Sequence, residues 1–306
     1  AVEKVFHAAD NDILVLQRDY NFCFVRCFDT MLAARILGWR QVGLAAILAE
    51  RFHVQLDKSL QRTDWGRRPL TREQMAYARL DTHYLLPLRD LLLTELRQRN
   101  RLDEAREAFA ALENITWVEK SFDPEGFWRI NGARDLSPRA LAVLRELYLF
   151  RDAEARRQNW PPFKIATDQA LMNLAMIQPQ DSIALSRVPR LGLTQVRRWG
   201  KGLLAAIERG RAAPLPSLPS RQMNHNGSRP DEATMARFDA LRAWRRKKAH
   251  ERGVEPDVVA SNEALMTLAR LCPRTPEELG RAGVWGPWKQ CTYGPDILNI
   301  LRDVHR

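Results

Sequence analysis

The sequence predicts an α/β layer followed by two all-α modules, on three observations. Residues 1–112 mix short β-prone runs with helical stretches. Residues 137–306 read as helix throughout, interrupted at 212–231 by a stretch rich in Pro, Ser and Asn. The two helical halves repeat each other at a shift of 94 positions.

In chain order, Val5-Phe6-His7 and Phe22-Cys23-Phe24-Val25 are the expected strands, as short runs of aromatic and β-branched residues. Helices are expected near 12–18, 30–37, 41–51 and 71–98. Asp29 is placed to cap the helix at 30–37, because a carboxylate just ahead of a helix accepts from its free backbone N–H groups. Thr71 and Gln74 spell a capping box, so a helix begins at Thr71. Residues 113–136 form a connector containing Asp123-Pro124 and Gly132. Ser137-Pro138 opens the first module, 137–211, as N-cap and first helical residue. The linker 212–231 holds Pro214, Pro216, Pro219, Gly227 and Pro230, and the second module spans 232–306. Across the repeat, Arg151 meets Arg245, Pro162 meets Pro256, Ala170-Leu171-Met172 meets Ala264-Leu265-Met266, and Gly200 meets Gly294. Thr167 and Ser261 take the same N-cap position in the two copies.

Composition narrows the function classes. A 45% hydrophobic fraction and nine Trp in 306 residues exclude a mainly disordered chain. A net charge of +11 points to an anionic partner, above all nucleic acid, with a merely solubilising surface as the bland alternative. The four cysteines form no C-x-x-C pair and are too few for a disulfide scaffold, so they read as reduced thiols of a cytoplasmic protein. The six histidines show no metal-ligand spacing. No apolar run approaches the roughly 18 residues that span a bilayer.

Tyr77 and Asp81 lie four apart on one face of the helix that starts at Thr71. A carboxylate there can ligate a hard cation while a phenol one turn away aligns an attacking water; an ordinary amphipathic helix carries the same pair. The run from His7 to Leu16 reads as a strand end entering a helix, with Asp12 in the first turn. The positive helix end keeps Asp12 ionised, either for chemistry or as a plain first-turn acid. Lys58, Arg62, Arg67 and Arg68 precede the Tyr77 helix as a phosphate track, or as a solvated loop in which Trp65 packs on the core. In the modules, Arg151, Arg156, Arg157 and Trp160 combine cations with an aromatic, as single-stranded RNA requires. Arg245, Arg246, Lys247, Lys248 and Arg252 are their counterparts, and Arg197, Arg198 and Lys201 extend the set; ordinary exposed charge is the alternative.

The order of these parts resembles ribonuclease D, a DEDD-type 3′→5′ exoribonuclease of the tyrosine subclass followed by paired HRDC modules. The resemblance is carried by Lys4 to Leu16, Phe28 to Ala34, Leu56-Asp57-Lys58-Ser59, Thr63-Asp64-Trp65 with Arg68-Pro69-Leu70, Tyr77-x-x-x-Asp81 and Tyr84 to Leu88. It implies a partial ribonuclease H-like exonuclease domain and two HRDC helical bundles. It also implies catalytic roles for Asp12, Tyr77 and Asp81, with Asp12 and Asp81 ligating Mg²⁺ or Mn²⁺, two ions in the complete enzyme. The implied substrate is RNA at its 3′ end, such as a tRNA precursor, and the protein is expected as a cytoplasmic monomer. RNA contacts are expected at Lys58, Arg62, Arg151, Arg157, Arg245, Lys247 and Lys248.

The family's first motif, a D-x-E on a strand well ahead of Asp12, is not found. Asp123-Pro124-Glu125 and Asp152-Ala153-Glu154 both follow the third motif. The chain is therefore expected to be cut ahead of Ala1 and to have little activity alone. A second class of function is a catalytically dead scaffold whose modules grip nucleic acid. Codons for a D-x-E strand upstream would separate the two.

Overall fold

Two short parallel strands open the chain: β1 (Lys4–Phe6) and β2 (Cys27–Asp29), with Val5 opposite Phe28. A computed structural model describes residues 2–55, 58–119, 121–216 and 230–304. Most of the expected linker, 217–229, lies outside the described residues, as does the side chain of Lys58. Between the strands runs α1 (Ala9–Tyr20). The strand expected at 22–25 is not formed. The pairing falls instead on Cys27, Phe28 and Asp29, all buried, whereas Phe22 is 51% exposed. Phe22 instead stacks on Tyr20, with ring centroids 5.4 Å apart.

The next helices are α2 (Thr30–Leu37), α3 (Leu44–Arg51), α4 (Arg72–His83), α5 (Leu85–Gln98) and α6 (Leu102–Glu113). The single helix expected over 71–98 is thus two, meeting at Tyr84. Pro87 supplies the reason, because in a continuous helix its ring would strike the carbonyl of His83. α5 turns Leu85, Leu88, Leu92 and Leu96 inward at helical spacing. Leu88, Leu92 and Leu96 share a core with Phe28, Leu37, Ile47 and Phe109. Each such side chain contributes about 1.5–3 kcal/mol on burial.

The first module contains α7 (Pro138–Gln158), α8 (Pro162–Ile165), α9 (Asp168–Ile177), α10 (Ser182–Ser186) and α11 (Leu193–Ala212). Its duplicate contains α12 (Glu232–Arg252), α13 (Pro256–Val259), α14 (Asn262–Leu271), α15 (Pro276–Arg281) and α16 (Pro287–Asp303). The equivalent caps form in both copies: Thr167 Oγ1 accepts from Ala170 N at 3.2 Å and Ser261 Oγ from Ala264 N at 3.0 Å. In the first copy α7 and α11 pack so closely that a Cβ on Gly210 would strike the backbone of Val143. Gly210→Ala is therefore expected to destabilise the module by about 1–3 kcal/mol in urea unfolding.

Glu154, on α7, accepts from Arg157 at 2.7 Å, from Gln158 at 3.0 Å and from Trp199 Nε1 at 2.9 Å. Those donors, Arg157 first, overcome burial and hold its carboxyl at about 2 instead of 4.5. A depressed acid stabilises the folded state above its unfolded value and stops doing so as pH falls through its folded value. The advantage of wild type over Glu154→Gln should thus shrink between pH 4.5 and about 2, by at most about 3 kcal/mol. An advantage independent of pH in parallel thermal melts would contradict this.

The chain divides into two compact units, 119–228 and the pair 1–118 with 229–306. The α/β block and the second module therefore form one unit despite the distance between them in sequence. Within it α6 packs on α16. Glu104 is 1% exposed and pairs with Arg252, while Arg101 donates to the Arg252 carbonyl at 2.7 Å. Glu107 accepts from Trp288 N at 2.5 Å and from Lys289 N at 3.3 Å, closing the free N–H end of α16. Arg35 on α2 pairs with Asp257 on α13. Among the described residues no helix is long and apolar enough to cross a membrane.

Candidate active site

β2 ends on Asp29, whose carboxylate is fully buried. One oxygen accepts from Met31 N at 2.8 Å and Leu32 N at 2.9 Å, which is the expected cap on α2. The other accepts from Ala9 N at 2.6 Å, at the start of α1. A single side chain thus closes the N–H ends of two helices. Ala8 sits between β1 and α1 in the left-handed region, at φ 62 and ψ 57. That conformation costs a residue bearing Cβ about 1–2 kcal/mol, so surrounding contacts must hold it. The bond from Ala9 to Asp29 is one of them. His7 Nδ1 lies 2.9 Å from Thr30 Oγ1, and that hydroxyl donates to the Phe6 carbonyl at 2.9 Å. The hydroxyl proton being committed, His7 donates. Burial holds its imidazole below the ordinary value, against an opposing pull from Asp29.

These bonds fix where α1 begins. Asp10 and Asp12 stand exposed in its first turn. Partial burial, and then the charge of Asp29, push the Asp10 carboxyl upward.

α4 is set by the expected capping box. Thr71 Oγ1 accepts from Gln74 N at 3.2 Å, and Gln74 Oε1 accepts from Thr71 N at 2.9 Å. Gln74 Nε2 also donates to Thr63 Oγ1 at 3.1 Å, tying the preceding loop to the helix. Trp65 of that loop packs on the half-buried Tyr77, with ring centroids 5.8 Å apart. One turn on, Asp81 is exposed, yet neighbouring protein desolvates it enough to push its carboxyl above the usual range. Arg62, Arg67 and Arg68 are exposed along the loop, and Arg68 donates to the Trp65 carbonyl at 2.8 Å.

Tyr77 and Asp81 thus share one face of one helix, while Asp12 comes from another. α1 packs on α6, whereas α4 packs on α5. Among the described residues no group of three or more His, Cys, Asp or Glu forms a metal cluster. Mg²⁺ keeps several waters and is held through one or two carboxylates together with substrate phosphates, so scattered carboxylates such as Asp12 and Asp81 would supply only part of a metal's ligand shell.

The expected RNA contacts divide. Lys247 is exposed. Arg157 is exposed but paired with Glu154. Lys248 is engaged by Asp296 at 3.1 Å and Glu251 at 3.5 Å. Arg151 and Arg245 correct the expectation. Both are 8% exposed, and they donate to the Ala166 carbonyl at 3.2 Å and the Ala260 carbonyl at 2.8 Å. Each pins the turn ahead of the capped helix in its own copy, with little of its surface left to solvent. Charge type alone did not distinguish them from exposed neighbours. The brace of Trp65 on Tyr77, the tie of Gln74 and the second bond of Asp29 carried no local signal either.

Residues 1–97 match the 3′-5′ exonuclease family, and residues 140–207 and 234–301 each match the HRDC domain. Ribonuclease D of Gluconacetobacter diazotrophicus is 34% identical over 302 residues, covering 98% of this chain and 74% of that protein. Ribonuclease D of Jannaschia sp. is 32% identical, covering 98% and 75%. The crystal structure of Escherichia coli RNase D, described as an exoribonuclease involved in structured RNA processing, matches with a TM-score of 0.58 at 26% identity, over 98% of this chain and 79% of that one. With both domain types in this order and relatives alike over almost its full length, the chain belongs to the ribonuclease D family of 3′-5′ exoribonucleases.

Proposed function

We propose that this protein trims the 3′ ends of structured RNA, tRNA precursors among them, as a cytoplasmic monomer, and that the scissile phosphodiester lies over the Tyr77–Asp81 face of α4. The observation that carries this reading is the assembly on α4: a phenol braced by Trp65, a carboxylate one turn away, and a basic loop tied to the same helix through Gln74. The exposed Arg62, Arg67 and Arg68 offer positive charge to the phosphates of an incoming strand. The Tyr77 hydroxyl orients the attacking water by a hydrogen bond, and Trp65 limits the ring orientations that compete.

Exonucleases of this family use divalent metal ions. Asp12 and Asp81 are the proposed ligands from this chain, and hard carboxylate oxygens favour Mg²⁺ or Mn²⁺.

The test uses a structured RNA with a single-stranded tail, labelled at one end. A 5′-labelled RNA should shorten stepwise, and a 3′ label should be released first as a mononucleotide. Internal cuts, or loss from the 5′ end, would overturn the reading. The exposed Lys247 contributes as one phosphate contact. Lys247→Glu should weaken binding and lower the slope of log K against log salt by about 0.7–0.9. An unchanged slope would remove Lys247 from the RNA surface.

A further inference from the structure

The two modules are copies, yet the same face has a different fate in each. In the second copy it is covered: Arg252 reaches Glu104, Asp257 reaches Arg35, and Val254 lies beside Gly38 of the α/β block. In the first copy the corresponding positions are Gln158, Phe163 and Trp160, so neither ion-pairing residue is present. That face stays open, with Trp160 37% and Phe163 62% exposed. Its charge has also diverged. Lys164 and Arg198 of the first copy are Val258 and Thr292 in the second, and Arg157 is Glu251. On the first copy these cations lie beside a half-exposed tryptophan.

The geometry around the tryptophan is preorganised. The Arg198 guanidinium carbon lies 4.6 Å from the Trp160 ring centroid, and the Lys164 ammonium lies 5.7 Å from it. Trp160 meets Trp199 edge-on, with centroids 6.2 Å apart at 83°. Trp199 is itself buried and donates to Glu154 at 2.9 Å. Arg198 donates to Gln158 Oε1 at 2.8 Å, which holds its plane. Little side-chain freedom remains to be lost when a ligand arrives.

We propose that this face of the first module is a stacking subsite for single-stranded RNA: one nucleobase lies against Trp160 and the guanidinium plane of Arg198, and Lys164 meets an adjacent phosphate. Flat, half-exposed aromatics flanked by cations accept any base on their π-face, and their charge matches the backbone. The inference rests on the RNA reading given above and adds a site to it. An acidic protein surface like the one that covers the second copy is the competing occupant.

Short oligouridine titrated into the 306-residue chain, followed by fluorescence anisotropy, tests it. Stacking of one base is worth about 1–3 kcal/mol, so Trp160→Leu should weaken binding about 5- to 150-fold and leave the salt slope unchanged. Trp160→Phe should keep most of the affinity. Lys164→Gln should lower the salt slope by about 0.7. Tryptophan emission should be quenched as RNA saturates wild type, and this quench should shrink in Trp160→Phe, a readout that altered folding would not reproduce. Unchanged affinity in a natively melting Trp160→Leu, or no quench in wild type, overturns the subsite while leaving the RNA reading intact. Failure of wild type to bind RNA overturns both. Tighter, Trp160-dependent binding of oligoglutamate than of oligouridine would assign the face to an acidic protein instead.

Discussion

Glu104→Ala should destabilise the unit formed by residues 1–118 and 229–306 by about 3–5 kcal/mol, the cost of leaving a buried charge without its partner. Glu104 has almost no access to solvent, and Arg252 is largely covered. The guanidinium also reaches the Tyr293 hydroxyl and lies 5.7 Å from the Trp288 ring, so it cannot swing out to water without opening the packing of α6 on α16. Urea unfolding is the measurement. A loss below about 1 kcal/mol, the usual worth of an exposed pair, would show that the guanidinium is solvated and that the pair does not fasten the two parts. Replacing both partners together, with Glu104→Leu and Arg252→Met, should recover most of the loss, because a well-packed apolar pair avoids the desolvation that a lone charge suffers. The recovery would separate an unpaired charge from a simple packing defect. Lys289 is a second buried cation in the same region. Burial pushes its ammonium below the ordinary lysine value, against Glu104 and Glu107, and its Nζ donates to the Val258 carbonyl at 2.8 Å.

Asp81→Asn should reduce 3′-end trimming by at least about 10²-fold, the scale seen when one preorganised electrostatic group is removed from a reacting centre. RNA affinity should stay within a factor of a few, since the basic loop and the modules remain. Asp81 is exposed and makes no capping bond on α4, so the substitution should leave the melting temperature unchanged. Single-turnover decay of a 3′-labelled RNA, in protein that trims it, gives the rate, and anisotropy gives the affinity. Turnover at the wild-type rate would remove Asp81 from the chemistry. Equal losses in rate and affinity would recast it as a binding residue. Tyr77→Phe should slow trimming less, because the ring and its packing on Trp65 survive.

Local signals carried much of this molecule. The capping box at Thr71 and Gln74, the Asp29 cap, the paired N-caps at Thr167 and Ser261, and the gapless repeat were all legible from neighbouring residues or from self-comparison. Each depends on side chains within about one turn of a helix, where spacing alone dictates geometry. The second strand forms at Cys27–Asp29 and not at 22–25, since aromatic content marks β-propensity without saying which run another strand will pair with.

The sequence by itself determined the order of the parts, the helix starts, the duplication and the shared face of Tyr77 and Asp81, because these follow from periods of a few residues. Only the tertiary structure decided that Arg151 and Arg245 are largely buried and bonded to backbone carbonyls, and that Glu104 finds Arg252 across 148 positions. A charged residue has the same spelling whether water or protein surrounds it. Which of the two does so is settled by packing between segments far apart in the chain, and that information has no local period to read.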